Sequence, residues 1–444
     1  MPALGCAFED GERVVNELDL AVSFLFGQSD QSLLVVFWYA LVFELPRYGL
    51  AIVAVGLAPL AASWFWPDQH VCQVRTSNET SSRVSVIVVG HNEVDSLEAC
   101  VRSLREQSLE GFEIVIVSDG STDGMARLAN RLVRQGFADR ALSTDLRGGK
   151  SSGLNLAVRA ARGDIIVNVD CDCSYDRFAI ANIIAPLSDP AVGAVTGDII
   201  PRNSHASLIA RFQEIEYLMT ISVGKRVGNA LDQIVCVSGA FGAFRRKALN
   251  QVGGLDVGGG EDLDLTLRLR QAGWRTEFAE NATCYTDVPA KAWPFIRQRF
   301  RWERDSIWLR YRKHLRLMDP RSERFRLSEA FHQWDFLLFS VAGAVIFPCY
   351  IVWLFLSYGE MALPILVAMQ LGLLAADTAV LAIAAGVTGR PVFIRNLPYL
   401  LGYSVFTTYL MRTVRLLAYV EEWFLSGSRR DNYVPLRVRS TRPW

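Results

Sequence analysis

The chain has 444 residues, room for two or three domains, and 51% of them are hydrophobic. Its 46 basic residues are matched by 46 acidic ones, a balance that removes the electrostatic footprint of a nucleic-acid binder and leaves nucleic acid out as a partner. Eight cysteines (Cys6, Cys72, Cys100, Cys171, Cys173, Cys236, Cys284, Cys349) show no zinc spacing, which suits a reduced compartment, and Cys171 and Cys173 read as packing thiols.

Residues 1–31 carry six acids and one arginine, the opposite of a cleavable signal's basic start. Within this acidic segment, 1–32, Val14, Val15, Leu18, Val22 and Leu25 share a helical face and predict a surface-lying helix. Residues 33–66 are apolar except at Glu44, Pro46 and Arg47. At ~1.5 Å per residue they would reach about 50 Å, so we expect one spanning helix, roughly Tyr48 to Trp66, kinked near Pro46. With the acidic end outside, the part from Pro67 to about Glu329 is expected in the cytosol, where nucleotide sugars are found.

From Val84 apolar runs alternate with helical patterns, which predicts parallel strands joined by crossover helices, an open α/β sheet over 67–290. The runs are Val84 to Val89, Glu113 to Val117, Ile165 to Val169 and Ala194 to Thr196. Ligands of such sheets sit beyond the carboxyl ends of the strands, so the residues just after each run carry most weight. Those residues are His91, Asn92 and Glu93, then Asp119 to Asp123, then Asp170, Cys171 and Asp172. Turn and cap chemistry accounts for some of them, with Asp123 placed to cap the next helix, but a carboxylate at every tip points to a site.

The carboxylates Asp170 and Asp172 offer hard oxygen ligands of the kind Mg2+ or Mn2+ accepts beside substrate phosphates. A glycine run at 258–260 delivers Glu261 and Asp262 to the start of a helix ending near Gly273, where a loop can approach a ligand closely and a carboxylate can act as a base. Further on, Gln298, Arg301 and Trp302 stand at i, i+3 and i+4, so one helical face offers an arginine for a diphosphate and an indole for a sugar ring. The surrounding Lys291 to Arg316 interleaves nine basic residues with aromatic ones, the composition of an amphipathic helix lying on a bilayer. We therefore expect interfacial helices over 291–334. Beyond them Phe336 to Leu356, Leu363 to Ala385 and the shorter Leu397 to Met411 predict membrane helices over 335–424, followed by a basic tail, 425–444. Arginines on both sides of the third segment conflict with a simple crossing, so it reads as spanning, re-entrant or interfacial.

Together these residues resemble the processive family-2 glycosyltransferases, which include cellulose, chitin, hyaluronan and poly-N-acetylglucosamine synthases. The likeness runs from about Val84 through Trp302. It implies an α/β, GT-A (Rossmann-like) cytosolic domain flanked by transmembrane and interfacial helices in an integral protein of a bacterial plasma membrane. It also implies an inverting transfer from a UDP-sugar to a growing β-linked polysaccharide that is conducted across the membrane, with other export subunits as partners. His91-Asn92-Glu93 is similar to the family's Tyr-Asn-Glu, and Asp119 opens its Asp-Gly-Ser-Thr-Asp; both contact the nucleoside there. Gly149-Lys150 through Asn155 resembles Gly-Lys-x-x-x-Leu-Asn, which places Lys150 near the uridine or diphosphate. Asp170 and Asp172 match the metal motif, with Asp172 the direct ligand, and Ser238-Gly239 lies in the acceptor-side strand and turn. Gly260-Glu261-Asp262 stands where the family has Thr-Glu-Asp, making Asp262 the base. Gln298, Arg301 and Trp302 match Gln-x-x-Arg-Trp, the mark of processive members. The cellulose synthases' gating loop is absent, which favours another β-linked polymer. Two rivals remain: single transfer to a lipid-phosphate carrier, and a non-catalytic nucleotide-binding scaffold.

Overall fold

The computed structural model describes residues 19–46 and 83–430, apart from 25, 28, 257 and 324. The candidate spanning helix Tyr48 to Trp66, most of the basic tail, and Val14, Val15, Leu18 and Leu25 lie outside the described residues. The chain divides into two compact units, Ser63–Ala330 with Ala418–Trp444, and Met1–Ala62 with Phe331–Leu417.

The first unit is built on an eight-stranded sheet of order β3-β2-β1-β4-β7-β6-β8-β5. Its strands are β1 (Val84–Gly90), β2 (Glu113–Asp119), β3 (Arg140–Thr144), β4 (Ile165–Asp170), β5 (Ser174–Tyr175), β6 (Val192–Pro201), β7 (Phe241–Arg245) and β8 (Arg275–Thr286). β1 to β4 pair in parallel, each joined to the next by a helix: α1 (Val94–Arg105), α2 (Met125–Arg134) and α3 (Lys150–Ala160). Because successive side chains of a strand point to opposite faces, Val86, Val88, Ile114 and Ile116 pack on Leu97, Val101 and Leu132 from α1 and α2. Their neighbours Ile87, Val89, Val115 and Val117 pack on Leu154 and Ala157 from α3. Both faces are covered, which is why these strands read as continuous apolar runs.

The four runs expected as parallel strands, β1, β2, β4 and β6, run in one direction, and two strands not foreseen make the sheet mixed. β7 lies antiparallel between β4 and β6, and β5 is antiparallel to β8. The reversal arises because the chain leaves β6 through the helices α4 (Leu208–Glu216) and α5 (Val223–Ala230), joined by a π-helical turn, and returns along β7 in the opposite sense. Later in this unit come the helices α6 (Glu261–Gln271) and α7 (Ala292–Trp308).

In the second unit the described chain has the helices α8 (Gly343–Tyr358) and α9 (Ala362–Thr388), which turn at Gly359, φ +54°. They belong to one helical stretch, Leu327–Thr388, whose most apolar window has mean hydropathy 2.2 and is 33% buried, so its apolar surface faces outward and is long enough to cross a membrane. Phe347, Tyr350 and Leu354 share a buried cluster with Ile365, Met369 and Leu373, so the two arms pack as a hairpin. Tyr39 stacks on Tyr350 at 5.2 Å and donates to the Gly343 carbonyl at 2.8 Å, and an ion pair joins Glu44 to Arg412.

Candidate active site

The carboxyl ends of β1, β2 and β4 open onto one cleft of about 660 Å³, with the N-terminus of α6 and one face of α7 as further walls. Its lining includes Glu93, Asp119, Lys150, Asp170, Asp172, Ser238, Gly239, Glu261, Asp262, Gln298, Arg301 and Trp302. Thus Asp172, Asp262 and Trp302, distant in sequence, share a single cavity.

Asn92 is not among the lining residues. It sits at φ +57°, and its side-chain oxygen accepts from the Thr122 amide at 2.8 Å, so it braces the two loops after β1 and β2. Asp123 has a similar office: its carboxylate accepts from the amide of Val94 at 2.9 Å and that of Met125 at 3.0 Å, capping α1 and α2 together. Asp119 lines the cleft but is 3% exposed, and both its oxygens are engaged by the loop before α3, accepting from Gly148 N at 2.8 Å and Gly149 N at 2.7 Å. That grip sets the start of α3 and hence Lys150.

Lys150 Nζ lies 2.6 Å from Asp170 Oδ1 and 3.8 Å from Glu261 Oε1, at the centre of a cluster of acids. Burial alone would lower this lysine, but Asp170 and Glu261 hold it above the ordinary lysine value. Burial also pushes Glu261 up to about 7, with Lys150 opposing and Asp262 adding to the rise. Glu93 is likewise pushed up to about 7 by burial, with Cys171 opposing and Asp170 and Asp172 adding to the rise. Asp170 is raised by burial and held back by Lys150.

The acids at the head of α6 are presented by Gly260, whose φ of +67° suits a residue without a β-carbon. Asp262 Oδ1 accepts from the Leu263 amide at 2.8 Å, and Oδ2 lies 3.4 Å from Gly239 N. Asn168 donates to the Gly239 carbonyl at 2.7 Å, which fixes the turn before β7 against β4. On α7, Trp302 is 38% exposed, and the guanidinium of buried Arg299 lies 4.2 Å over its ring. Glu216 anchors Arg299 at 2.7 Å.

A further wall is not singled out by reading the sequence alone: Tyr217, Ile221 and Lys225, at i, i+4 and i+8, with Ile199 and Val235. That spacing, in a stretch otherwise read as neither helix nor strand, is the available signal. Lys225 Nζ donates to Thr196 Oγ1 at 2.9 Å and to the Gly197 carbonyl at 2.8 Å, and burial lowers its pKa. Arg147, Asp305 and Arg310 also line the cleft.

The carboxylates of the cleft are candidate ligands for a divalent cation. Asp170 gives one oxygen to Lys150, and among the described residues no group of three or more His, Cys, Asp or Glu is placed to enclose a metal. Asp172 and the remaining oxygen of Asp170 therefore fit a cation whose shell is completed by substrate phosphates, the usual habit of Mg2+, and not a cage made by protein alone.

Comparison with known proteins supplies the kinship. The profile described as "Glycosyl transferase family 2" matches residues 85–253. An N-acetylglucosaminyltransferase of Azorhizobium caulinodans is 30% identical over 253 residues, 52% of this chain and 63% of the relative. A poly-beta-1,6-N-acetyl-D-glucosamine synthase of Staphylococcus aureus is 29% identical over 223 residues, 49% of this chain and 53% of that protein. The match thus spans between 53% and 63% of these relatives' own length. The mannosyltransferase PcManGT of Pyrobaculum calidifontis, solved with GDP-Man and Mn2+, has the same fold at TM-score 0.51 and 23% identity, over 85% of this chain and 98% of that one. Over residues 85–253 and across its relatives, the chain is thus similar to the family 2 glycosyl transferases.

Proposed function

We propose that the chain is a membrane-bound, inverting, processive polysaccharide synthase that draws on a cytosolic UDP-sugar. The observation that carries the reading is the shared cleft: the Asp170/Asp172 pair, the Glu261/Asp262 pair and the Gln298/Arg301/Trp302 face line one cavity. UDP-N-acetylglucosamine is the leading donor, because the relatives reported above act on that sugar by name.

The acceptor sugar stacks on Trp302, with Gln298, Ser238 and Gly239 around it, and its hydroxyl faces Asp262. The bond from that hydroxyl oxygen to the anomeric carbon forms as the bond to the diphosphate breaks; the proton passes to Asp262, and UDP leaves with the electron pair. Lys150 and Arg301 offset the charge that grows on the departing diphosphate. Mg2+ or Mn2+ held by Asp172 and Asp170 would supply Lewis-acid stabilisation of that same charge. Glu93 and Asp119 shape the nucleoside side, Asp119 through the loop it grips, and Asn92 acts through the Glu93 loop.

On this reading the catalytic part (67–290) is cytosolic, and the acidic N-terminal segment (1–32), the apolar stretch 33–66, the interfacial helices of 291–334, the helices of 335–424 and the tail of 425–444 belong to a protein of a bacterial plasma membrane. The polymer leaves through the membrane helices, with other export subunits as candidate partners. Isolated membranes given labelled UDP-N-acetylglucosamine, UDP-glucose or UDP-glucuronate with Mg2+ or Mn2+ test the reading. High-molecular-weight product from the first donor supports it; label found only in a lipid fraction supports single transfer to a lipid-phosphate carrier instead, and no UDP release supports the scaffold alternative.

A further inference from the structure

Two residues past Asp262, Asp264 lies on α6 with its side chain wholly buried, and it takes no part in the chemistry described above. Its Oδ2 accepts from Arg268 Nε at 2.8 Å, one turn along the same helix. Its Oδ1 is held from elsewhere, 2.7 Å from His314 Nε2 and 2.8 Å from Lys313 Nζ. His314 Nδ1 lies 2.9 Å from Gln271 Nε2. An amide N–H can only donate, so Nδ1 accepts and Nε2 carries the proton aimed at Asp264. Lys313 and His314 follow directly on α7, the helix that bears Gln298, Arg301 and Trp302, after one π-helical turn, Leu309–Lys313.

Two of Asp264's partners, Lys313 and Arg268, also reach the loop on the other side of the acids. Lys313 Nζ also lies 2.7 Å from Asp256 Oδ1, and Arg268 Nη1 donates to the Val252 carbonyl at 2.7 Å. The glycine run that presents Glu261 and Asp262 is thus fastened before and after, and Gly260 itself rests against Leu309. We infer that Asp264, His314 and Lys313 form a latch which fixes Asp262 relative to the Trp302 helix, so that the hydroxyl of a sugar stacked on Trp302 meets the base. These are positioning residues, and the inference rests on Asp262 being the base. A latch of this kind acts on transfer to the acceptor and leaves donor binding alone, because none of its members lines the cleft.

The test uses the full-length chain in membranes. His314→Ala is expected to lower kcat for polymer formation at least tenfold with the KM for UDP-sugar within twofold, and to raise the ratio of UDP released to sugar incorporated, as water replaces a misplaced acceptor. His314→Gln, whose amide nitrogen can reproduce the Nε2 donor, should recover most of that loss, and Lys313→Met should show an intermediate defect. Unchanged kcat in His314→Ala overturns the latch, as does a loss of activity that parallels a fall in thermal stability, is not rescued by glutamine and leaves the ratio of UDP to sugar at the wild-type value. A wild-type chain that releases no UDP contradicts the transferase reading itself, whereas an active wild type with an unaffected His314→Ala contradicts the latch alone.

Discussion

Gly260 lies against Leu309 so closely that a β-carbon on the glycine would come within 2.7 Å of Leu309 Cδ1, and the backbone there has φ +67°. The family motif that this segment resembles carries threonine at that position. Leu309 fills the space such a side chain needs, so the glycine and the leucine belong together.

Gly260→Thr is accordingly expected to be harmful here although it restores the commoner motif. Forcing a β-branched residue into the left-handed region costs about 1–3 kcal/mol before the clash is counted. The variant should melt earlier and lose most polymer formation, measured by thermal unfolding in detergent and by incorporation of labelled sugar. Pairing it with Leu309→Ala should recover part of both.

Asp123→Ala removes the side-chain acceptor from the amides of Val94 and Met125 at once. Each lost cap is worth about 1 kcal/mol, so a destabilisation of roughly 2 kcal/mol is expected, with Asp123→Asn, whose single amide oxygen can accept from only one of the two, falling between it and wild type. A thermal unfolding series of the three proteins checks it.

Lys150→Met leaves Asp170 and Glu261 without the cation that sits 2.6 Å and 3.8 Å from them. Buried acids stripped of a partner repel an incoming diphosphate and one another. UDP affinity, read by calorimetry or a fluorescent UDP analogue, should fall at least tenfold.

Glu93 supplies a pH dependence. Burial raises its folded-state value from 4.5 to about 7, so the folded protein favours the protonated acid. Its contribution to stability is present in full below pH 4.5 and is lost as pH rises through about 7. Glu93→Gln removes this term, so the variant should melt later than wild type at pH 8 and show a smaller difference at pH 5. A gap that does not widen with pH contradicts the assignment.

Much of this was legible from residue order alone, for stated reasons. Strands buried on both faces show as unbroken apolar runs, and so β1, β2 and β4 stand out, with the carboxylates at their tips. β7 and β8 do not: Phe241–Arg245 is short and glycine-bearing, and Arg275–Thr286 mixes charges with apolar residues along a twelve-residue strand. That is why the antiparallel members of the sheet went unforeseen while the parallel runs were read as such. Asn92 shows the limit of motif reasoning, because its side chain braces a loop and does not line the cleft. The wall of Tyr217, Ile221 and Lys225, and the partnership of Asp264 with His314, depend on long-range packing that no local pattern records.

The central claim is that Asp262 accepts the proton of the acceptor hydroxyl in a cleft shared with Asp172 and Trp302. The most direct measurement is polymer formation by Asp262→Asn beside its affinity for UDP-sugar. An asparagine keeps the size of the side chain but cannot take the proton, so donor affinity within threefold of wild type and at least a thousandfold loss of polymer are predicted. Polymer formation within tenfold of wild type by that variant would contradict the account.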